Sequence, residues 1–149
     1  MSHPYGSHPR ERLAAFLARR RRFLTSHPVV AILTFSIAAV WIVFGVWFKL
    51  LGMVPRHRLI VATIVGEAAA TPVTQLVGLA ETALAVWIVA GMYPRLCASL
   101  QSVAIAAMNT LEIAFAKQHL IAPIVMVVAN SVLLVVAWYT ALRSSRTSE

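Results

Sequence analysis

The sequence predicts an all-α integral membrane protein: a four-helix bundle with both termini cytoplasmic and a short interfacial or re-entrant segment between helices one and two. Three observations predict it. Hydrophobic residues make up 60% of the 149-residue chain and charged residues only 12%, against roughly 45–50% and about 25% in soluble domains. The apolar residues gather into four stretches, each near the ~20 helical residues that cross a ~30 Å hydrocarbon core. Arginine and lysine fall unevenly between the connections, the pattern that sets membrane orientation. A mean hydropathy of +0.79 excludes a disordered chain, which needs low hydrophobicity to stay unfolded.

Residues 1–27 read as a basic cytoplasmic segment. Its first nine residues hold Ser-His-Pro twice, and Ser26-His27-Pro28 repeats it. That stretch reads as a disordered tail whose two histidines offer at most a weak metal site. Arg10 to Leu24 reads as an amphipathic helix, with Leu13, Phe16, Leu17 and Leu24 at helical spacing. Arg19, Arg20, Arg21 and Arg22 are expected to sit on anionic lipid headgroups. The following apolar stretch exceeds a 7–15-residue signal core and lacks a small-residue cleavage site, so a cleaved signal peptide is not expected.

The four-span domain is placed at 28–142. Its first span, Val29 to Phe48, carries no charge and is extended toward Val54. The link Pro55 to Thr71 contains Leu59 to Val65, an apolar run too short to cross. The second span, Pro72 to Gly91, is interrupted by Gln75 and Glu81. Met92 to Arg95 turns the chain into the third, Leu96 to Ala116, which carries Gln101, Asn109 and Glu112. Lys117 to His119 leads to the fourth, Leu120 to Leu142, interrupted mainly by Asn130. Residues 143–149 form a cytoplasmic tail. Lipid forces the backbone to bond internally, so the spans are helices, and the alternation of a barrel is missing. Short links make sequence neighbours antiparallel.

Nine basic residues flank one side: Arg10, Arg12, Arg19, Arg20, Arg21, Arg22, Arg95, Arg143 and Arg146. Arg56, Arg58 and Lys117 flank the other, and Lys49 closes the first span there. The excess marks the cytoplasmic side. The net charge of +8 is therefore read as topology, and no nucleic-acid partner is expected. The lipid bilayer, and a membrane or cytoplasmic protein, are the expected partners.

Composition removes several chemistries. Cys97 is the one cysteine, so an intrachain disulfide, a CxxC redox pair and a four-cysteine zinc site are impossible. All five acids are glutamates, which removes EF-hand loops, Ser-His-Asp triads and aspartyl-phosphate sites. No histidine lies inside a span, so paired haem ligands are missing from the bundle core.

Polar residues inside the spans are then the candidates, because each is costly there and needs a partner. Lys49 follows Trp41 and Gly45 at i+4 steps, and either faces the interior or snorkels to the near surface. Glu81 is central and must be protonated, paired with Lys49, or bonded to Asn109 or Asn130. Register places Lys49, Gln75, Glu81, Asn109, Glu112 and Asn130 around one outward-opening ligand pocket. Arg56, His57, Glu67 and His119 are expected at its mouth. His57 and His119 with Glu67 could meet as metal donors on the outer side, but no metal site is expected. Trp41, Trp47, Trp87 and Trp138 read as packing or interface anchors, or as stacking partners for a quinone.

The run Trp41-Ile42-Val43-Phe44-Gly45-Val46-Trp47-Phe48-Lys49 resembles the first-helix signature of DoxX-like membrane proteins. Val77-Gly78-Leu79-Ala80-Glu81-Thr82-Ala83-Leu84 is similar to their second-helix pattern, and the Gly91-x-x-Pro94-Arg95 turn agrees. The resemblance covers roughly Val29 to Leu142 and excludes the Ser-His-Pro tail. It implies a bacterial inner-membrane four-helix protein, with Lys49 and Glu81 as the buried polar pair. Members include a subunit of a thiosulfate:quinone oxidoreductase and components of oxidative-stress complexes. With no thiol pair or haem ligand, the expectation is an accessory subunit holding a quinone-like molecule, and no autonomous enzyme. The alternatives are a small proton-coupled transporter using Glu81, and a structural or chaperone-like bundle.

Overall fold

The computed structural model describes residues 9–146. The tail bearing His3 and His8, and residues 147–149, lie outside the described residues. Six α-helices and no strand occur among the described residues. They are α1 (Pro9–Ser26), α2 (Pro28–Ile42), α3 (Pro55–Val65), α4 (Glu67–Ala90), α5 (Pro94–Phe115) and α6 (Pro123–Arg146). A π-helical stretch, Val43–Leu50, continues α2, and one 3₁₀ turn, Lys117–His119, precedes α6.

Proline sets most of the starts. Pro28, Pro55, Pro94 and Pro123 each open a helix, where the missing N–H has no intrahelical partner to lose. Pro72 behaves differently. The second span was expected to begin there, yet α4 starts five residues earlier at Glu67. Ala68, Ala69 and Ala70 are strong helix formers, and Glu67 favours the positive end of the helix dipole. Gly91 ends α4 in the left-handed conformation, φ 70°, which costs glycine nothing.

Four helices are long and apolar enough to cross a membrane: Pro28–Leu50, Glu67–Ala90, Pro94–Phe115 and Pro123–Ser145. Their outward faces are apolar too. Val103, Leu76, Val86 and Val135 are each about two-thirds exposed, and apolar residues all round a helix suit lipid rather than water. The inward faces meet in a core of Ile37, Ala38, Trp41, Ala85, Ile88, Cys97, Ile105 and Ala137. Helix α4 packs on α2 and its π continuation, and α5 packs on α6.

Small residues set the closest approach. A Cβ built on Gly45 would lie 2.7 Å from the Gly78 carbonyl oxygen, and one on Gly78 would lie 2.8 Å from that of Gly45. Close backbone contact of this kind is how membrane helices gain dispersion energy without a hydrophobic drive.

The two short helices occupy opposite ends. Helix α3 is an 11-residue helix packed across α4, α5 and the π stretch. Helix α1 runs through the expected amphipathic segment, but Leu13 and Leu17 stay exposed while Phe23 is buried. Arg19, Arg21 and Arg22 are exposed. Arg20 departs from the headgroup expectation. It turns inward, and its guanidinium donates to the Ile88 carbonyl at 3.4 Å and to Ser144 Oγ at 3.5 Å. A Cβ at Gly91 would collide with it. The negative end of the α4 dipole attracts the cation there.

Candidate functional site

The π stretch sets the first element of the site. The Leu51 N–H donates to the Val46 carbonyl, five residues back, at 2.9 Å. Such i→i+5 turns are rare and concentrate at functional sites. Trp41, Gly45 and Lys49 are all buried, so the expected shared face exists and carries across the change of winding. Glu81 lies three residues beyond Gly78 on α4. The Gly45–Gly78 contact therefore delivers Glu81 to Lys49.

The two side chains form a buried ion pair. Lys49 Nζ donates to Glu81 Oε1 at 2.7 Å and to Oε2 at 2.8 Å. Side-chain exposure is 7% and 5%. Lys49 does not snorkel: the carboxylate compensates the ammonium more fully than the near surface would. Two charges removed from water persist only with good geometry and satisfied hydrogen bonds, and this pair has both.

Beside the pair lies a cavity of about 290 Å³. Its polar lining is Lys49, Arg56, His57, Glu81, Asn109, Glu112 and Asn130. Its apolar walls include Trp41, Phe44, Ile60, Ile105, Met108, Leu120, Met126 and Leu133. Asn130 Nδ2 donates to Asn109 Oδ1 at 2.7 Å, which ties α6 to α5 across the cavity floor. Seven of the ten expected site residues converge here.

Helix α3 supplies one wall. His57 stacks on Phe48, with ring centroids 5.4 Å apart, and meets Phe44 edge-on at 6.0 Å. Burial, then the charges of Lys49 and Arg56, push its pKa down to about 4. The imidazole is therefore neutral at physiological pH. Arg56 Nε is buried without a hydrogen-bond partner among the described residues. Glu112 also lines the cavity.

Three expected residues lie elsewhere. Gln75 is exposed and lines a neighbouring cavity of about 230 Å³ beside Gly52 and Pro55, which touches Lys49 from its other side. Glu67 pairs with Arg58 at the exposed start of α4, and Arg58 Nε also donates to Thr71 Oγ1 at 3.1 Å. His119 Nε2 is 3.1 Å from Thr63 Oγ1. No three histidine, cysteine, aspartate or glutamate side chains converge as a metal would need among the described residues.

One polar cluster was not anticipated as such. Trp41 Nε1 donates to Gln101 Oε1 at 3.0 Å, and Gln101 Nε2 lies 3.7 Å from Cys97 Sγ. Gln101 and Cys97 border a small cavity of about 30 Å³ with Arg20, Thr34, Thr140 and Ser144. Helical spacing carried the signal: Gln101, Ile105, Asn109 and Glu112 follow one another at i+4 or i+3, on one face of α5.

No curated protein and no solved structure matches the chain. The family model described as the DoxX-like family matches residues 38–138, a stretch that includes Lys49, Glu81, Asn109, Glu112 and Asn130, the whole of the second and third membrane-capable helices and the greater part of the first and fourth. A match across more than half the sequence, on the helices that build the cavity, makes this chain a member of the DoxX-like family.

Proposed function

We propose that the cavity holds a small, largely apolar molecule with carbonyl or hydroxyl oxygens, a quinone-like compound. On this reading the protein is an accessory subunit of a bacterial inner-membrane redox or stress-response complex, with both termini cytoplasmic. One observation carries the ligand reading. A cavity of about 290 Å³ inside the bundle combines aromatic and aliphatic walls with convergent polar groups, the usual make-up of a small-molecule site. Lys49 keeps one N–H beyond the two given to Glu81, and Asn109 keeps both of its own, so donors for a carbonyl are at hand. The basic residues near the chain termini support the orientation.

The rival reading, proton-coupled export, needs a glutamate that loads and releases a cation. Lys49 already occupies both oxygens of Glu81, which speaks against that residue in that role.

The test is a titration of the protein in lipid nanodiscs with a short-chain quinone, followed by tryptophan emission, because Trp41 borders the cavity. Saturable quenching is expected, weakened at least about tenfold by Lys49→Ala or Asn109→Leu, the loss of one good polar contact. The absence of a saturable signal would remove the ligand reading. Native purification of the intact membrane complex tests the partner, and recovery of the chain alone would remove the subunit role.

A further inference from the structure

Glu112 differs from the other acid of the cavity. Glu81 is saturated by Lys49 through two hydrogen bonds. The Glu112 side chain lines the same cavity, is half-buried, and makes no hydrogen bond or ion pair among the described residues. It stands three residues before Phe115, the end of α5, and its own carbonyl accepts the N–H of Ala116 at the helix cap. The site thus offers one uncommitted carboxylate and, on α3, one uncommitted donor, the buried Nε–H of Arg56.

The groups around Glu112 keep it from being redundant. The π stretch contributes Lys49, committed to Glu81. Helix α3 contributes Arg56 and the neutral His57, and α4 contributes Glu81. Helix α6 contributes only the uncharged Asn130, bonded to Asn109. A carbonyl-only ligand would satisfy the spare donors and leave the Glu112 carboxylate facing an oxygen or a methylene, which wastes or repels it. A ligand bearing a hydroxyl would fill it, since a hydrogen bond to an ionised acceptor is the stronger kind. Trp41, Phe44 and His57 line the same cavity, and aromatic walls suit a ring between those groups.

We infer that the cavity selects the hydroxylated, reduced form of its ligand, a hydroquinone or related phenol, through a hydrogen bond from the ligand hydroxyl to Glu112, with Arg56 Nε donating to a second ligand oxygen. This rests on the ligand reading above and sharpens it: Glu112, rather than Glu81, is the acid that reads the ligand.

The experiment compares three probes on the protein in nanodiscs: a short-chain hydroquinone kept reduced under anaerobic conditions, its quinone, and its di-O-methyl ether. At pH 7 the hydroquinone is expected to bind at least about tenfold more tightly than the ether, the worth of one charge-assisted hydrogen bond. Glu112→Gln should cut that preference to about threefold or less, because a neutral amide oxygen accepts more weakly than a carboxylate, and should strengthen quinone binding, because the amide N–H can donate to a carbonyl. As pH falls, the preference should fade in the native protein and stay unchanged in the variant. The ether comparison needs no variant, so a folding defect in Glu112→Gln would not shelter the inference. Equal binding of all three probes to the native protein overturns the role of Glu112 and leaves the ligand reading standing. Saturable binding by none of them overturns both.

Discussion

The two ends of the bundle are built from the same four helices and solve opposite problems. At the end carrying the chain termini, polar groups close on one another. Trp41 satisfies Gln101, Arg20 bonds the Ile88 carbonyl of α4, and the remaining cavity is about 30 Å³, room for about a water. At the end roofed by α3, the polar groups are more numerous and surround about 290 Å³. Buried polar atoms normally find partners. Each end leaves one arginine Nε without a partner among the described residues, Arg20 at the first and Arg56 at the second. The difference is that the second surrounds its polar groups with about ten times the volume and adds the Glu112 carboxylate.

Breaking the ion pair should separate the two ends most strongly. Glu81→Leu alone leaves the Lys49 ammonium buried and uncompensated, and about 3–5 kcal/mol should be lost. The double variant Lys49→Met, Glu81→Leu should recover most of that loss. Thermal unfolding of both variants in lipid nanodiscs checks this. A double variant as unstable as the single one would show that the pair holds the bundle through its charge, not merely through its geometry.

At the other end, Arg20→Ala removes a half-buried cation from the C-terminus of α4. A loss of about 0.3–1 kcal/mol is expected from the dipole contact. Its signature should be local: faster amide exchange in α1 and around Gly91, with ligand titration at the α3 end unchanged. Altered ligand binding would mean that the ends communicate, and Trp41, which borders the large cavity and bonds Gln101, would be the connection to examine.

The smallest effect concerns His57. Its folded pKa of about 4 lies below the ordinary 6.5, so the undocked state of α3 binds more protons between those values. The docking of α3 is therefore fully supported above about pH 6.5 and weakens as pH falls toward 4. His57 remains partly exposed, and solvent softens the effect. Amide exchange across Pro55–Val65 at pH 7 and pH 5 reads it. A His57→Gln variant should show no added exchange at the lower pH.

Much of this division was legible in the residues themselves. Lys49 and Glu81 stand out as the charges most in need of a partner. The residues alone left protonation of Glu81, its bonding to Asn109 or Asn130, and snorkelling of Lys49 open. The Gly45–Gly78 contact that selects the pair is visible only in the packing. Asn109, Glu112 and Asn130 could be placed by counting from helix ends, since a span has a fixed length and its neighbours run antiparallel. Gln75 was placed in the pocket by the same counting and faces the neighbouring cavity instead, because a helix face cannot be fixed by depth alone. Glu67 and His119 were decided by local partners, Arg58 and Thr63, that hydropathy does not register. Arg20 could not be told from Arg19, Arg21 and Arg22: successive residues fan out by about 100° around a helix, and only the docking of α1 selects one of them.

The π winding of Val43–Leu50 has a consequence for how this chain tolerates change in length. An i→i+5 ladder holds one more residue than an α-helix over the same hydrogen-bonded turn. Losing a single residue between Val43 and Val46 would let the stretch rewind as ordinary α-helix, with no break in the helix and no polar group added. The rewinding absorbs the lost residue, so Lys49 would keep its bearing toward Glu81 to within a few tens of degrees. The same loss from the α-helical part of the span, between Val30 and Ile37, would instead rotate the two halves of the span against each other by about 100°. A one-residue gap is thus a milder lesion in the π stretch than elsewhere in the span, a difference that a hydropathy profile does not register.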